Sequence, residues 1–469
     1  MVGTTKNRHF DLIVIGSGLA GSQASLIASK RGLKVGLVEE AELGGDSLNY
    51  SDLPLKQLAL TARQFYKIKH QLTPLGINSG LASFNYPKII NRIRQTITKA
   101  GVTNLELYHQ HQIELLGGRA YFINPQHISV NQTHFTADKF IIATGASWVM
   151  PTIPGLARDQ VYSPRQLLDF YRLPQRLLII GGHPTAIVLS QILASLGVKI
   201  HLICPDSQLL PDFSPAINQV LMQTLVKDFE IIVSTNSQVL EVTTRHQIKQ
   251  ILFSHAGIQR QFEVDEIIIA QQLQPNLDYG LNNASVDFTT KGIVTDHHLR
   301  TSNKRIFGAG DVLGVSNNPN IAIAEAEIAT LNAIGRPTRS TDQLAKPDII
   351  EAVINLARIG RNSIEGDNYR TASTSFSETP RQLIEPVTQP GLLTITIDQH
   401  NRLVGAECFG PEADVIIQQL TPLVKQGAHV RQLLNLATSF LRKFRCLVIL
   451  TDKPARNIAQ LSAFSACSS

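Results

Sequence analysis

Three glycines at the spacing Gly16-Ser-Gly18-Leu-Ala-Gly21, with the acid Glu39 about twenty residues further on, are residue types that bind a dinucleotide. Gly16 permits a tight turn, Gly18 lets the backbone approach a pyrophosphate, and Gly21 lets a helix pack closely on a strand. The N–H groups that open that helix face the anion, and Glu39 can accept hydrogen bonds from a ribose hydroxyl. A glycine pattern of this kind also occurs as a bare structural turn. Here it stands between the apolar run Asp11–Ile15 and a helical stretch, and a second apolar run, Lys34–Val38, leads to Glu39. Strand, glycines, helix, strand and acid coincide, which is the context that dinucleotide binding needs.

The order of elements recurs. Leu177–Ile180 leads through Gly181 and Gly182 into a helical segment and then the strand Lys199–Ile203. Asp138–Gly145 reads as a strand ending in Ala143-Thr144-Gly145, with Pro151 and Pro154 marking a boundary after it. Beyond Gly335 and Pro337 the pattern changes to alternating segments such as Leu392–Ile397 and Leu403–Phe409, followed by helices. The expected architecture is α/β: two doubly wound, Rossmann-like nucleotide-binding domains plus an α+β C-terminal domain.

Composition fits this reading. At roughly 150 residues per domain, the 469 residues allow three domains, and 43% hydrophobic with 17% charged residues is a globular balance. The cysteines Cys204, Cys408, Cys446 and Cys467 form no C-x-x-C pair, so neither a zinc site nor a secreted disulfide framework is supported. A reducing, cytoplasmic setting is the expectation. No apolar run reaches the length of a membrane span, so no membrane insertion is expected. The net charge of +6 is scattered rather than gathered with aromatics, which argues against nucleic acid as a partner.

The segment Leu43-Gly-Gly-Asp-Ser-Leu-Asn-Tyr-Ser-Asp-Leu-Pro-Leu-Lys56 resembles the redox segment of the pyridine nucleotide-disulfide oxidoreductases, of the dihydrolipoamide dehydrogenase and mercuric reductase kind. In that family it reads G-G-T-C-x-N-x-G-C-x-P-S-K. Gly44, Gly45, Asn49, Pro54 and Lys56 keep their places. Ala143-Thr144-Gly145, Ile306–Val312 with Gly310 and Asp311, and Gly405–Pro411 extend the resemblance over nearly the whole chain. It implies FAD on Gly16, Gly18 and Gly21, with Glu39, Gly45, Lys56, Thr144, Gly145, Gly310 and Asp311 around it. The flavin ring would lie near Lys56 and the helix that begins around Ile321. It also implies a homodimer, an FAD-binding domain of residues 1–150 and 276–337, an NAD(P)-binding-like domain of residues 151–275, and an interface domain of residues 338–469.

The departures gather in one place. Ser47 and Asp52 stand at the two cysteine positions, and neither can form a disulfide or a thiolate. The family's C-terminal His and Glu are missing, since no His follows His429 and no Glu follows Glu412; Thr438–Arg445 stands in their place. In the second domain His183 occupies the position of the second essential glycine, Val188 that of the family glutamate and Cys204 that of the ribose-reading acid. Ala270–Asn276 replaces the family's A-T-G-R-x-P-N. Together these weigh against tight NAD(P)H binding.

Two roles stay open for Asp52. It is a carboxylate beside the flavin, with Lys56 close by, that opposes flavin reduction, or it is a loop or N-cap residue before a helix of residues 54–69. The pairs His109/His111 and His297/His298 lack further ligands at metal spacing and are expected on strands or turns, so no metal is expected. The leading expectation is an FAD-dependent oxidoreductase without a redox-active disulfide, passing electrons between a donor and an acceptor that the sequence does not name. A non-catalytic FAD-bound dimeric scaffold or sensor is the alternative, and a soluble transhydrogenase-like flavoenzyme a third.

Overall fold

The computed structural model describes residues 8–78, 80, 82–315, 318–335, 338–341, 347–361, 369–378 and 390–435. Its first sheet holds Arg8–Ile15 centrally, with Val35–Glu39 and then Glu114–Gly117 on one side and Thr133–Ile142 on the other, all parallel. Leu12, Ile13, Val14 and Ile15 are all buried, as expected of a strand covered on both faces. Thr133–Ile142 then forks. Its first half pairs antiparallel with His127–Val130, while its end pairs parallel with Ile306–Gly308, so that Phe307 lies beside Ile141. A chain segment from far down the sequence thus completes the sheet at the edge where the glycine turn opens.

Helices α1 (Leu19–Ser29), α2 (Gly45–Asn49), α3 (Asp52–His70) and α4 (Tyr86–Gln110) follow in the first part of the chain. The expected helix of residues 54–69 starts two residues earlier, at Asp52. Pro54 does not prevent this, because the first-turn N–H groups of a helix have no intrahelical partner to lose. His109 was expected on a strand or turn. It lies in α4, whose apolar positions Ile90 and Ile93 recur at helical spacing, and His111 is that helix's C-cap.

The second sheet is parallel throughout, in the order Ile232–Ser234, Lys199–Ile203, Arg176–Ile180, Glu266–Ile269. Helices α5 (Pro184–Ser195) and α6 (Pro215–Lys227) accompany it, and a three-stranded antiparallel meander, Ser237–Arg245, Ile248–His255 and Ile258–Val264, is inserted before its last strand. Helix α3 packs on α5: Leu58, Ala59 and Ala62 share one core with Ile187, Leu189 and Ile350. Helix α7 (Pro319–Ile334) returns to pack on α1.

The third sheet is antiparallel, in the order Asp348–Ile350, Leu356–Gly360, Leu403–Phe409, Leu392–Ile397, Arg370–Ser375, and α8 (Ala413–Lys425) covers it. Thr438–Arg445, Cys446 and Cys467 lie outside the described residues. Among the described residues no helix is long and apolar enough to cross a membrane.

Candidate functional site

A cleft opens at the carboxyl ends of the first sheet's parallel strands, where open α/β sheets bind ligands. Gly16 sits at φ +100°, and a Cβ there would meet the carbonyl oxygen of Ala143 at 2.3 Å. A Cβ on Gly21 would lie 1.8 Å from the carbonyl oxygen of Gly16. Gly18 differs from both. It is the N-cap of α1 at φ −59°, no side chain caps the helix there, and nothing lies within 4 Å of where its Cβ would be. That open space, beside the uncapped N–H groups of α1, is a cradle that a side chain would fill.

Glu39 closes the neighbouring strand and is held from three sides. Its Oε2 accepts from the Ser17 N–H at 2.8 Å and the Ser17 hydroxyl at 2.7 Å, and its Oε1 accepts from the Ala41 N–H at 2.9 Å. A carboxylate offers about four acceptor positions, so one stays available for a ligand hydroxyl. Ser17 was not singled out by the sequence; its Oγ also accepts from the Gly44 N–H at 2.9 Å and so ties the glycine turn to the start of α2.

Gly45, Ser47, Thr144, Gly145, Gly310 and Asp311 line the same cleft. Thr144 donates its hydroxyl to the Asn276 carbonyl at 3.0 Å, and Asn276 Nδ2 donates to the Thr144 carbonyl at 2.8 Å. Asp311 is pushed up to about 6, by burial first and by the charge of Asp46 second, and no hydrogen bond from another described residue relieves it. A half-buried acceptor that lines a cleft and has no donor among the described residues fits a ligand that brings one. Beneath it, Glu325 of α7 accepts from the Gly310 N–H at 2.9 Å and is pushed up to about 7, chiefly by burial. These residues fit FAD: a helix start for its pyrophosphate, a carboxylate for its ribose, and a half-buried acceptor for a hydroxyl between.

Asp52 and Lys56 meet each other but are not among the residues that line the cleft. Lys56 Nζ stands 3.3 Å from Asp52 Oδ1, one helical turn back, and 3.1 Å from Glu351 Oε1, just past the third sheet's strand Asp348–Ile350. Burial works against the lysine's charge, but the two carboxylates outweigh it and hold Lys56 above its ordinary value. The cleft wall near Ser47 carries two side chains that sequence reasoning missed: Asp46 and Arg165, 3.3 Å apart. Asp46 was legible as the residue replacing the family's threonine before the first cysteine position. Arg165, more than a hundred residues away, gave no signal.

The second glycine turn departs from the first in physical detail. His183 caps α5 at φ −85° and ψ 171°, close to Gly18 at φ −59° and ψ −174°, so its Cβ stands at the counterpart of the space that Gly18 leaves open. A Cβ on Gly182 would lie 2.3 Å from Cys204 Sγ, so the position expected to read a ribose holds a buried thiol packed on the turn. Burial pushes Cys204 up to about 11. Val188 is buried on α5. A cavity of about 740 Å³ remains there, lined among others by His183, Asp206, Gln271, Gln274, Lys291 and Asp311. The rings of His297 and His298 lie 4.2 Å apart and tilted by 50°, with His298 Nδ1 2.7 Å from the Arg339 carbonyl, and no cluster of three or more metal-ligating side chains forms among the described residues.

Comparison with known proteins agrees with this geometry. Residues 10–329 match the family model described as pyridine nucleotide-disulphide oxidoreductase. A mercuric reductase of Staphylococcus aureus is 26% identical over 98% of this chain and 85% of its own length. A dihydrolipoyl dehydrogenase of Bacillus subtilis is 25% identical over 89% of this chain and 90% of its own. A soluble pyridine nucleotide transhydrogenase of a Marinomonas strain is 25% identical over 89% and 92%. Among solved structures, the HOCl-induced flavoprotein disulfide reductase RclA of Escherichia coli in its Cu(II) complex superposes with a TM-score of 0.82 at 23% identity, covering 94% of this chain and 99% of that one. It shares the fold.

Proposed function

Since the chain belongs to the pyridine nucleotide-disulphide oxidoreductase family, whose members are FAD-binding flavoproteins, we propose that it is an FAD-dependent oxidoreductase that works without a redox-active disulfide. The carrying observation is the pairing of a complete dinucleotide cleft with Ser47 and Asp52 at the family's cysteine positions. Cys204 and Cys408 are buried in other parts of the fold.

Bound FAD would supply the two-electron redox chemistry. The chain's own residues hold and shield it. The N-terminus of α1 and Gly18 take the pyrophosphate, Glu39 accepts from ribose, and Asp311 accepts from the chain between ribose and ring. Gly45, Gly145 and Gly310 keep backbone rather than side chains against the cofactor, and Thr144 has its hydroxyl committed to the Asn276 carbonyl. Lys56, tethered to Asp52 and Glu351, stays a positive group behind the Ser47 segment. Residues 338–469 would pair two copies of the chain into a homodimer.

A second reading rests on the second glycine turn. With a side chain on the pyrophosphate approach and a buried thiol in place of the ribose acid, the cavity beside His183 suits a pyridine dinucleotide poorly. The protein would then be an FAD-bound scaffold or sensor, or an oxidoreductase served by another donor. The transhydrogenase alternative needs that same cavity to take nicotinamide and is the least supported. Anaerobic mixing of the purified yellow protein with NADH or NADPH separates these. The expected result is slow or no bleaching of the flavin absorbance, while dithionite bleaches it fully. Bleaching within a catalytic turnover time by either nucleotide would restore the nicotinamide site and the transhydrogenase alternative.

A further inference from the structure

Glu42, Asp46, Tyr50 and Arg165 meet on one side of the cleft. Arg165 projects from the short 3-10 turn Pro164–Asp169. That turn is fixed by the buried Leu167 and Leu168 and by Gln166 Oε1, which accepts from the Ser163 N–H at 2.9 Å. The guanidinium lies 3.3 Å from Asp46 Oδ1 and 4.5 Å from the centre of the Tyr50 ring. Tyr50 donates its hydroxyl to Glu42 at 2.9 Å. The cation is therefore placed by a carboxylate, an aromatic face and a rigid turn at once.

Charge in the cleft is one-sided. Among the described residues that line it, Arg165 is the only lysine or arginine, against the five carboxylates of Glu39, Glu40, Glu42, Asp46 and Asp311. Three of these have other donors: Glu39 takes Ser17 and Ala41, Glu40 takes the Tyr279 hydroxyl and stands 3.7 Å from Arg119 Nε outside the cleft lining, and Glu42 takes Tyr50. Among the described residues Asp46 has only Arg165 and Asp311 has none, and the charge of Asp46 raises Asp311. A flavin dinucleotide adds two more negative charges from its bisphosphate. Asp46 follows Gly45, whose Cβ would lie 2.9 Å from the Gly18 Cα, so the Asp46–Arg165 pair stands next to the phosphate turn.

We propose that Arg165 is the counter-cation of the bound flavin dinucleotide, aimed by Asp46 and Tyr50, and that Asp46 opposes the same negative charge. This rests on the flavin reading of the cleft. A guanidinium has five N–H donors in a planar fork, so one edge can stay on Asp46 while the other faces the cofactor's oxygens. Asp46 is held above its ordinary value, chiefly by burial, with Arg165 opposing the rise and the charge of Glu39 adding to it. The arrangement makes the two partners of one ion pair act in opposite directions on the cofactor.

That opposition is the test. FAD is titrated into apoprotein of the wild type and of R165Q, R165K and D46N, at low and high salt, with circular dichroism confirming the fold of each. R165Q is expected to weaken uptake on the order of tenfold at low salt, less at high salt, while R165K, which keeps the charge but not the fork, is expected to lose less than R165Q. D46N is expected to tighten it. If R165Q and D46N both weaken uptake alike, the pair is only a structural bridge and the inference is overturned. Affinities unchanged in both variants overturn it as well. A wild-type apoprotein that takes up no FAD defeats the flavin reading itself and the inference with it, a result distinct from the other two.

Discussion

Gly18→Val is expected to leave the empty protein folded and to strip it of FAD. The backbone of Gly18 is at φ −59°, which any residue adopts, and the added Cβ would meet no protein atom within 4 Å. Valine is a poorer N-cap than glycine, so a stability loss of about 1 kcal/mol is the ceiling expected from the fold alone. The cofactor meets the new methyl groups where its pyrophosphate must approach the first turn of α1. Losing that approach removes the helix-terminus hydrogen bonds together, so affinity should fall on the order of 100-fold or more, about 3 kcal/mol. The check is a thermal melt of apoprotein beside an FAD titration. Normal uptake by the variant would remove the cofactor from this turn.

The second large effect comes from the same motif with the opposite partition. Gly21→Ala would put a methyl carbon 1.8 Å from the Gly16 carbonyl oxygen and 3.3 Å from Val14 Cγ1. Gly16 cannot retreat, because its N–H donates to the Val38 carbonyl at 2.8 Å and its own Cα already faces the backbone of Ala143. Helix α1 must therefore move off the sheet and away from α7. Overpacking of this kind costs on the order of 3 kcal/mol, a large share of the roughly 5–15 kcal/mol that holds a domain folded. The melting temperature of the apoprotein should drop by several degrees, with FAD binding lost as a consequence. A variant as stable as wild type would mean that α1 does not rest on the glycine turn as described.

Local pattern carried the glycine turns and most of the flanking strands, since a strand buried on both faces is an apolar run and little else reads that way. Lys199–Ile203, Leu392–Ile397 and Leu403–Phe409 run in the structure between the bounds read from the sequence. The helix start at Asp52 was misplaced because Pro54 reads as punctuation, although proline is tolerated in a first turn. His109 was misplaced because the apolar stripe of α4 is thin, and the polar residues between its buried positions resemble a loop.

What lay beyond sequence reading in the site is what tertiary contact creates. Arg165 reaches Asp46 across 119 positions, Asn276 pins Thr144 across 132, and Glu351 takes Lys56 from beside the third sheet. None of these pairings leaves a local pattern. Ser17 is the opposite case: it sits inside the glycine motif at a position that the motif leaves free, so only the coordinates show that it orients Glu39.

An electron count tests the absence of a relay through sulfur most directly. One FAD accepts two electrons, and a protein disulfide beside it would accept two more. Anaerobic titration of the purified holoprotein with dithionite should bleach the flavin completely at two electrons per subunit, with no long-wavelength band of a thiolate stacked on oxidised flavin. Consumption of four electrons per subunit, or the rise of such a band at the halfway point, would contradict it.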